Sequence, residues 1–172
     1  MGGKLATELI GISNDPSDID DGFWAITTTF DGRFTGAKFT RVIDSPWVEN
    51  YEPLKSTDWE SSHSQSEYCK LVESFRDEIA NGNIYQVNAC RVLSNNTNES
   101  LAGLVAGFLL HNPARYAGYL RIPGLEIASA SPETFLQRKG QILTSSPIKG
   151  TRKPGIAGEF PEKDKSENVM IV

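Results

Sequence analysis

Tyr116-Ala-Gly-Tyr-Leu-Arg-Ile-Pro-Gly-Leu-Glu-Ile-Ala-Ser-Ala-Ser-Pro-Glu-Thr-Phe-Leu-Gln-Arg-Lys-Gly-Gln-Ile-Leu-Thr-Ser-Ser146 reads as four short strands, 116–122, 125–130, 134–138 and 141–146. Pro123-Gly124, Ser131-Pro132 and Lys139-Gly140 separate them, and each pair offers the backbone angles of a tight turn. Turns this short allow only antiparallel neighbours, because a parallel crossover needs a dozen residues or more. The stretch therefore predicts an antiparallel meander. With helices set to one side of it, the fold class is α+β, mostly antiparallel sheets in a sandwich-like core with helices packed outside.

The same logic extends toward the N-terminus. Residues 5–12 read as a strand, and 13–22, rich in Asp, Ser and Pro, as a solvated loop. Phe23 to Phe30 and Arg33 to Val42 form a hairpin closed by Asp31-Gly32. From Asp44 to Ser62, Pro46 and Pro53 interrupt any regular pattern; Trp47, Tyr51 and Trp59 read as anchors of a linker. Ser64-Gln-Ser-Glu67 is a capping box opening a helix whose Tyr68, Leu71, Val72, Phe75 and Ile79 recur at helical spacing, with Asn81-Gly82 as its stop. Asn83 to Leu93 alternates like a strand, with Gln86 and Asn88 on one face. Asn98 can cap a second helix, which carries Leu101, Leu104, Val105, Phe108 and Leu109 and ends at Asn112-Pro113. His111 at its C-terminal end is explained by the helix dipole without any chemistry. Pro161-Glu162 opens a last helix. The division expected is 1–63, strands and linker, and 64–172, a larger domain.

Composition excludes several functions. A formal charge of −5, with no basic block, gives no footing for nucleic acid or an anionic membrane surface. No apolar run reaches the ~20 residues of a membrane span, and the first residues do not resemble a secretory signal, so a cytoplasmic protein is expected. Two His and two Cys without CxxC spacing give no ordinary zinc site; Cys69 and Cys90 read as reduced, partly buried thiols. Gly150 to Gly155 lacks the spacing of a phosphate loop.

Just past the meander, Pro147-Ile-Lys-Gly-Thr-Arg152 places Lys149 at the end of an apolar strand, with Gly150 letting backbone approach a ligand closely. Taken alone, Lys-Gly is a solvated lysine at a strand end, and Glu133 in Ser-Pro-Glu is a turn carboxylate. If the strands pair as adjacent hairpins, Glu133 starts one strand and Lys149 ends the next, which brings an acid and an amine to one sheet edge.

Four blocks together resemble the chorismate-utilising enzymes, the family of the anthranilate synthase and aminodeoxychorismate synthase large subunits. They are Gly82-Asn-Ile-Tyr-Gln-Val-Asn88 with Arg91, Ser131-Pro-Glu-Thr-Phe135, Pro147-Ile-Lys-Gly-Thr-Arg152, and Lys163-Asp-Lys-Ser-Glu-Asn-Val-Met-Ile-Val172. Their order is similar to the family's, with a shorter link between the third and fourth. A lysine in the third block resembles aminodeoxychorismate synthases, where anthranilate synthases usually carry alanine. The resemblance implies Lys149 as nucleophile and Glu133 as general acid/base, Gly150 and Thr151 as chorismate contacts, and Glu167 as one ligand of Mg2+. It also implies a glutamine amidotransferase partner supplying ammonia and a role in folate biosynthesis. Arg115, Tyr116 and Ala117 resemble the lining of a tryptophan pocket in relatives, but the matching serine motif is absent. The family's second metal-binding glutamate has no counterpart here, so the chain is expected to be the N-terminal part of such an enzyme and inactive alone. Conversion of chorismate to anthranilate or isochorismate, and a non-catalytic binding fragment, stay open as alternatives.

Overall fold

The computed structural model describes residues 3–45, 50, 52, 55, 58–111, 113–148, 158–159 and 161–171. It is α+β, as the alternation of strand and helix patterns predicts. Contacts divide the chain into two units, Met1–Pro53 with Ser100–Val172, and Leu54–Glu99.

In the first unit, β1 (Lys4–Ser13), β2 (Phe23–Thr28) and β3 (Phe34–Asp44) form an antiparallel sheet with β3 in the middle. The predicted turn closes β2–β3: Thr28 pairs with Phe34, and Gly32 has φ 85°, a conformation that costs glycine nothing. Strand β1 returns along the far edge of β3, with a register shift between Leu9 and Gly11. Glu8, just before it, takes φ 61°. Such a bulge adds twist to an edge strand. The register puts Leu5, Leu9, Ile12, Phe23, Ala37, Phe39 and Ile43 on one face, where Phe23 and Phe39 meet edge to face. The loop 13–22 holds a short 3-10 turn, Pro16–Asp18, capped by Asp15, and Asp20 reaches Lys38 at 2.5 Å. It is therefore tied to the sheet.

Helix α2 (Ala102–His111) packs against β6 (Tyr116–Ile122) and β7 (Leu125–Ser131), a hairpin in full register from Tyr116↔Ser131 to Ile122↔Leu125. Val105, Ala106 and Ile122 are buried here. Asn98 was the expected cap of α2, and this is corrected. The helix begins at Ala102, and the Leu101 N–H donates to Glu126 Oε1 on β7. The Ala102 N–H donates to Ser100 Oγ at 3.2 Å, so a local hydroxyl and a carboxylate from a neighbouring strand share the helix start.

Strands β8 (Thr134–Lys139) and β9 (Ile142–Ser146) pair through the Lys139-Gly140 turn, with a register shift between Thr134 and Gln137. The four-strand meander is also corrected: β6–β7 and β8–β9 are separate two-stranded sheets, and no pairing joins β7 to β8. Pro132 has no N–H to give to a ladder, so the chain leaves one hairpin before it enters the next. Helix α3 (Glu162–Ile171) follows.

In the second unit, α1 (Gln65–Ala80) starts at the predicted capping box. The Glu67 N–H donates to Ser64 Oγ, and the Ser64 N–H donates to Glu67 Oε2 at 2.8 Å. The strand expected over Asn83–Leu93 is not formed; only Leu93–Ser94 (β5) pairs, with Glu60–Ser61 (β4). Tyr68 Oη instead donates to the Ala89 carbonyl at 3.1 Å, tethering the extended segment to α1. Cys69 and Cys90 are free and exposed, not partly buried. Among the described residues no helix is long and apolar enough to cross a membrane.

Candidate functional site

Glu133 sits in the two-residue step between β7 and β8. Its backbone is held from behind, because Ser131 Oγ donates to the Glu133 carbonyl at 3.0 Å. Thr134 then pairs with Ser146, the last residue of β9. The hairpin thus returns the chain to where it began. There the Ile148 N–H donates to Glu133 Oε2 at 2.7 Å. Glu133 itself is exposed, so a molecule in solvent has access to its carboxyl group.

Glu133 thus meets Ile148, the residue before Lys149 in the sequence; the shared sheet edge expected for Glu133 and Lys149 falls on a lysine outside the described residues. Lys149, Gly150 and Thr151 lie outside the described residues.

Arg115, Tyr116 and Ala117 lie at the open end of the β6–β7 hairpin. Tyr116 pairs with Ser131 and Ala117 with Ala130, two or three residues before Glu133. The exposed Arg115 guanidinium stands 5.6 Å from the Tyr116 ring centroid, a cation–π arrangement.

Glu167 is on α3, in its second turn, with its side chain 28% exposed. The Lys163 ammonium, one turn earlier, stands 3.6 Å from it. A carboxylate oxygen is the right chemistry for Mg2+, which is commonly held by one or two carboxylates together with water and substrate. Among the described residues, however, no three His, Cys, Asp or Glu side chains gather as a metal centre. Glu167 fits as one ligand and does not define a site by itself.

A polar cluster that the sequence reading missed lies on the other side of the β6–β7 hairpin. Glu126 Oε1 accepts from Ser100 Oγ at 2.8 Å, from the Leu101 N–H at 2.9 Å, and from Tyr119 Oη. Burial works against the charged form of Glu126, but hydrogen bonds from Tyr119, Ser100 and Leu101 outweigh it and hold the carboxyl below its ordinary range. Tyr119 is pushed up, first by burial and then by its bond to Glu126. The signal was present: Glu126 is the one charged residue in the otherwise apolar and small run from Leu125 to Ala130.

With this geometry in view, comparison with known proteins is decisive at the level of family. The family model described as chorismate binding enzyme matches residues 41–172, more than half of the chain. The chain belongs to the chorismate-binding enzymes. Among curated relatives of this family, aminodeoxychorismate synthase component 1 of Bacillus subtilis (strain 168) is 27% identical over 89% of the chain and 37% of its own length. Anthranilate synthase component 1 of Acetivibrio thermocellus is 31% identical over 76% of the chain and 30% of its length. Aminodeoxychorismate synthase of Streptomyces pristinaespiralis is 35% identical over 70% of the chain and 18% of its length. The chain therefore spans about a third or less of these relatives. No solved structure matches. The four sequence blocks all fall inside the matched residues.

Proposed function

We propose that this chain is the Lys149-bearing part of an aminodeoxychorismate synthase component 1, which converts chorismate and ammonia to 4-amino-4-deoxychorismate. The observation that carries this reading is the hydrogen bond from the Ile148 N–H to Glu133: it brings an exposed carboxyl group to the residue before a lysine, in a chorismate-binding chain. Relatives named aminodeoxychorismate synthase support the reading.

In this mechanism the neutral Lys149 amine adds at C2 of chorismate. Both ring double bonds shift, carrying the electron pair round to C4, the C4–O bond breaks, and the hydroxyl leaves as water with the proton from Glu133. The lysine nitrogen, now a secondary ammonium, releases a proton. Ammonia then attacks C4, both double bonds shift back, and the C2–N bond breaks as the lysine nitrogen takes up a proton and returns as the neutral amine; the new C4 ammonium gives a proton back to Glu133. Covalent catalysis of this kind divides one difficult displacement into two easier ones. Mg2+, with Glu167 as one ligand, would supply positive charge for the ring carboxylate; Gly150 and Thr151 would contact the substrate. A glutamine amidotransferase would supply the ammonia, in the cytoplasm.

The test is intact-mass measurement after rapid quenching of the intact protein with chorismate and Mg2+, beside product analysis with ammonia. A covalent adduct that Lys149→Ala abolishes is the expected result, together with loss of aminodeoxychorismate. An adduct that persists in that variant places the nucleophile elsewhere. A second reading, anthranilate synthase, draws support from the 31% identity to the Acetivibrio thermocellus protein. Release of pyruvate and a fluorescent aromatic amine in the same assay would select it.

A further inference from the structure

The β1–β3–β2 sheet has two outer edges, and the sequence treats them differently. Strand β1 interrupts its own edge with the register shift between Leu9 and Gly11 and with Glu8 at φ 61°. It also carries Lys4 and Glu8, which pair with Asp44 at 2.5 Å and Arg41 at 3.9 Å on β3. Bulges and charges of this kind keep an exposed edge from pairing with another chain. Strand β2, Phe23-Trp-Ala-Ile-Thr-Thr28, has no charge, no proline and no register shift along β3. It is an edge without a guard.

The backbone decides which groups that edge offers. The Thr29 N–H donates to the Arg33 carbonyl at 2.9 Å, and the unbroken register carries the alternation back along the strand. Phe23, Ala25 and Thr27 therefore exchange hydrogen bonds with β3, while the N–H and C=O groups of Trp24, Ile26 and Thr28 point outward. Among the described residues none meets these outward groups. Ile26 is 50% exposed, and Thr28 is exposed beyond it.

We propose that the β2 edge pairs with β2 of a second copy of this chain, antiparallel across a two-fold axis at Ile26, so that the two sheets become one. The inference does not depend on the reaction proposed above. Symmetry sets the register. A two-fold axis normal to the sheet keeps like faces on one side, and directly opposed residues share a face, so the axis passes through a residue paired with itself. Only an axis at Ile26 brings all the outward residues into opposition: Ile26 with Ile26, and Trp24 with Thr28 on either side, each pair exchanging two hydrogen bonds. Charge selects the partner. A strand that pairs with its own copy meets its own charges, and like charges opposed across strands are destabilising. Strand β2 has none, whereas the chain as a whole carries −5. Trp24 beside Thr28 is also a favourable aromatic and β-branched pair. A six-residue edge is small against the ~1,200 Å² of lasting complexes, so the dimer is expected to depend on concentration.

Sedimentation equilibrium of the intact protein should show the mass rising from one chain toward two between about 1 and 100 μM. Over the same range, amide exchange followed by NMR should slow about threefold or more at Trp24, Ile26 and Thr28, and stay unchanged at Phe23, Ala25 and Thr27, which are already bonded to β3. Ile26→Lys and Ile26→Glu each put like charges on the axis and should sediment as single chains; mixing the two should restore a dimer. Ile10→Lys, at the β1 bulge, should dimerise like wild type.

A single chain at every concentration overturns the proposal and leaves the edge to a different protein. A dimer that survives in both Ile26 variants overturns it too, as does protection confined to β1 or β9 amides. Failure of the mixed Ile26 variants to pair overturns the register. If those variants do not fold, the wild-type exchange pattern decides.

Discussion

Replacing the half-buried Glu126 by alanine should destabilise the packing of α2 against β6 and β7. The carboxylate receives three donors on one oxygen, from Ser100 Oγ at 2.8 Å, the Leu101 N–H at 2.9 Å, and Tyr119 Oη. A hydrogen bond to a charged group contributes about 1.5–3 kcal/mol net, and a helix cap about 1 kcal/mol. Three such bonds are not additive, since the donors share one oxygen and water can reach a half-buried site. The expected loss is about 2–4 kcal/mol, read as a lower midpoint in urea unfolding of the intact protein. Glu126→Gln, which keeps an acceptor oxygen and loses the charge, should fall between. The pH dependence has a defined sign. Because the folded Glu126 titrates below its reference of 4.5, its contribution is complete above about pH 4.5 and fades as pH falls through the lower folded value. Tyr119 acts on the alkaline side: its contribution is complete below pH 10.0 and fades as pH rises through its raised folded value. A loss under about 0.5 kcal/mol for Glu126→Ala, the size of an ordinary surface change, would refute the assignment of Glu126 as the cap of α2.

Gly103→Ala ought to stabilise a helix by up to about 1 kcal/mol on propensity alone. A Cβ there would stand 2.8 Å from Glu52 Cβ and 2.9 Å from the Glu52 backbone nitrogen, so a net loss of about 1–3 kcal/mol is expected; thermal unfolding that shows a gain would refute it. Ser64→Ala should cost about 1 kcal/mol by opening the α1 capping box, seen as faster amide exchange in the first turn of the helix, and unchanged exchange would refute it. Lys149→Ala should leave the urea midpoint of the chain within about 0.5 kcal/mol of wild type while abolishing the covalent adduct; a large stability loss would mean that the lysine is structural.

Most of the local structure was legible in the residues themselves. The Asp31-Gly32 hairpin, the capping box of α1, and the Pro123-Gly124 and Lys139-Gly140 turns each depend on groups within about four positions of one another, so propensity and spacing suffice. The blocks that mark the chorismate-binding family were legible for a different reason, since they are chemical words read directly from the chain. Tertiary structure alone decided which groups meet across distance. It set β3 between β1 and β2, paired β7 with β6 and β8 with β9 but not with each other, and kept Asn83 to Val92 out of any sheet by offering it Tyr68 in place of a partner strand. It also chose Glu126 over Asn98 for the Leu101 amide, and Glu133 for the amide of Ile148, across 25 and 15 residues. A donor without a local acceptor takes whichever carboxylate the packing brings within ~3 Å, and no pattern confined to one segment of the chain contains that distance.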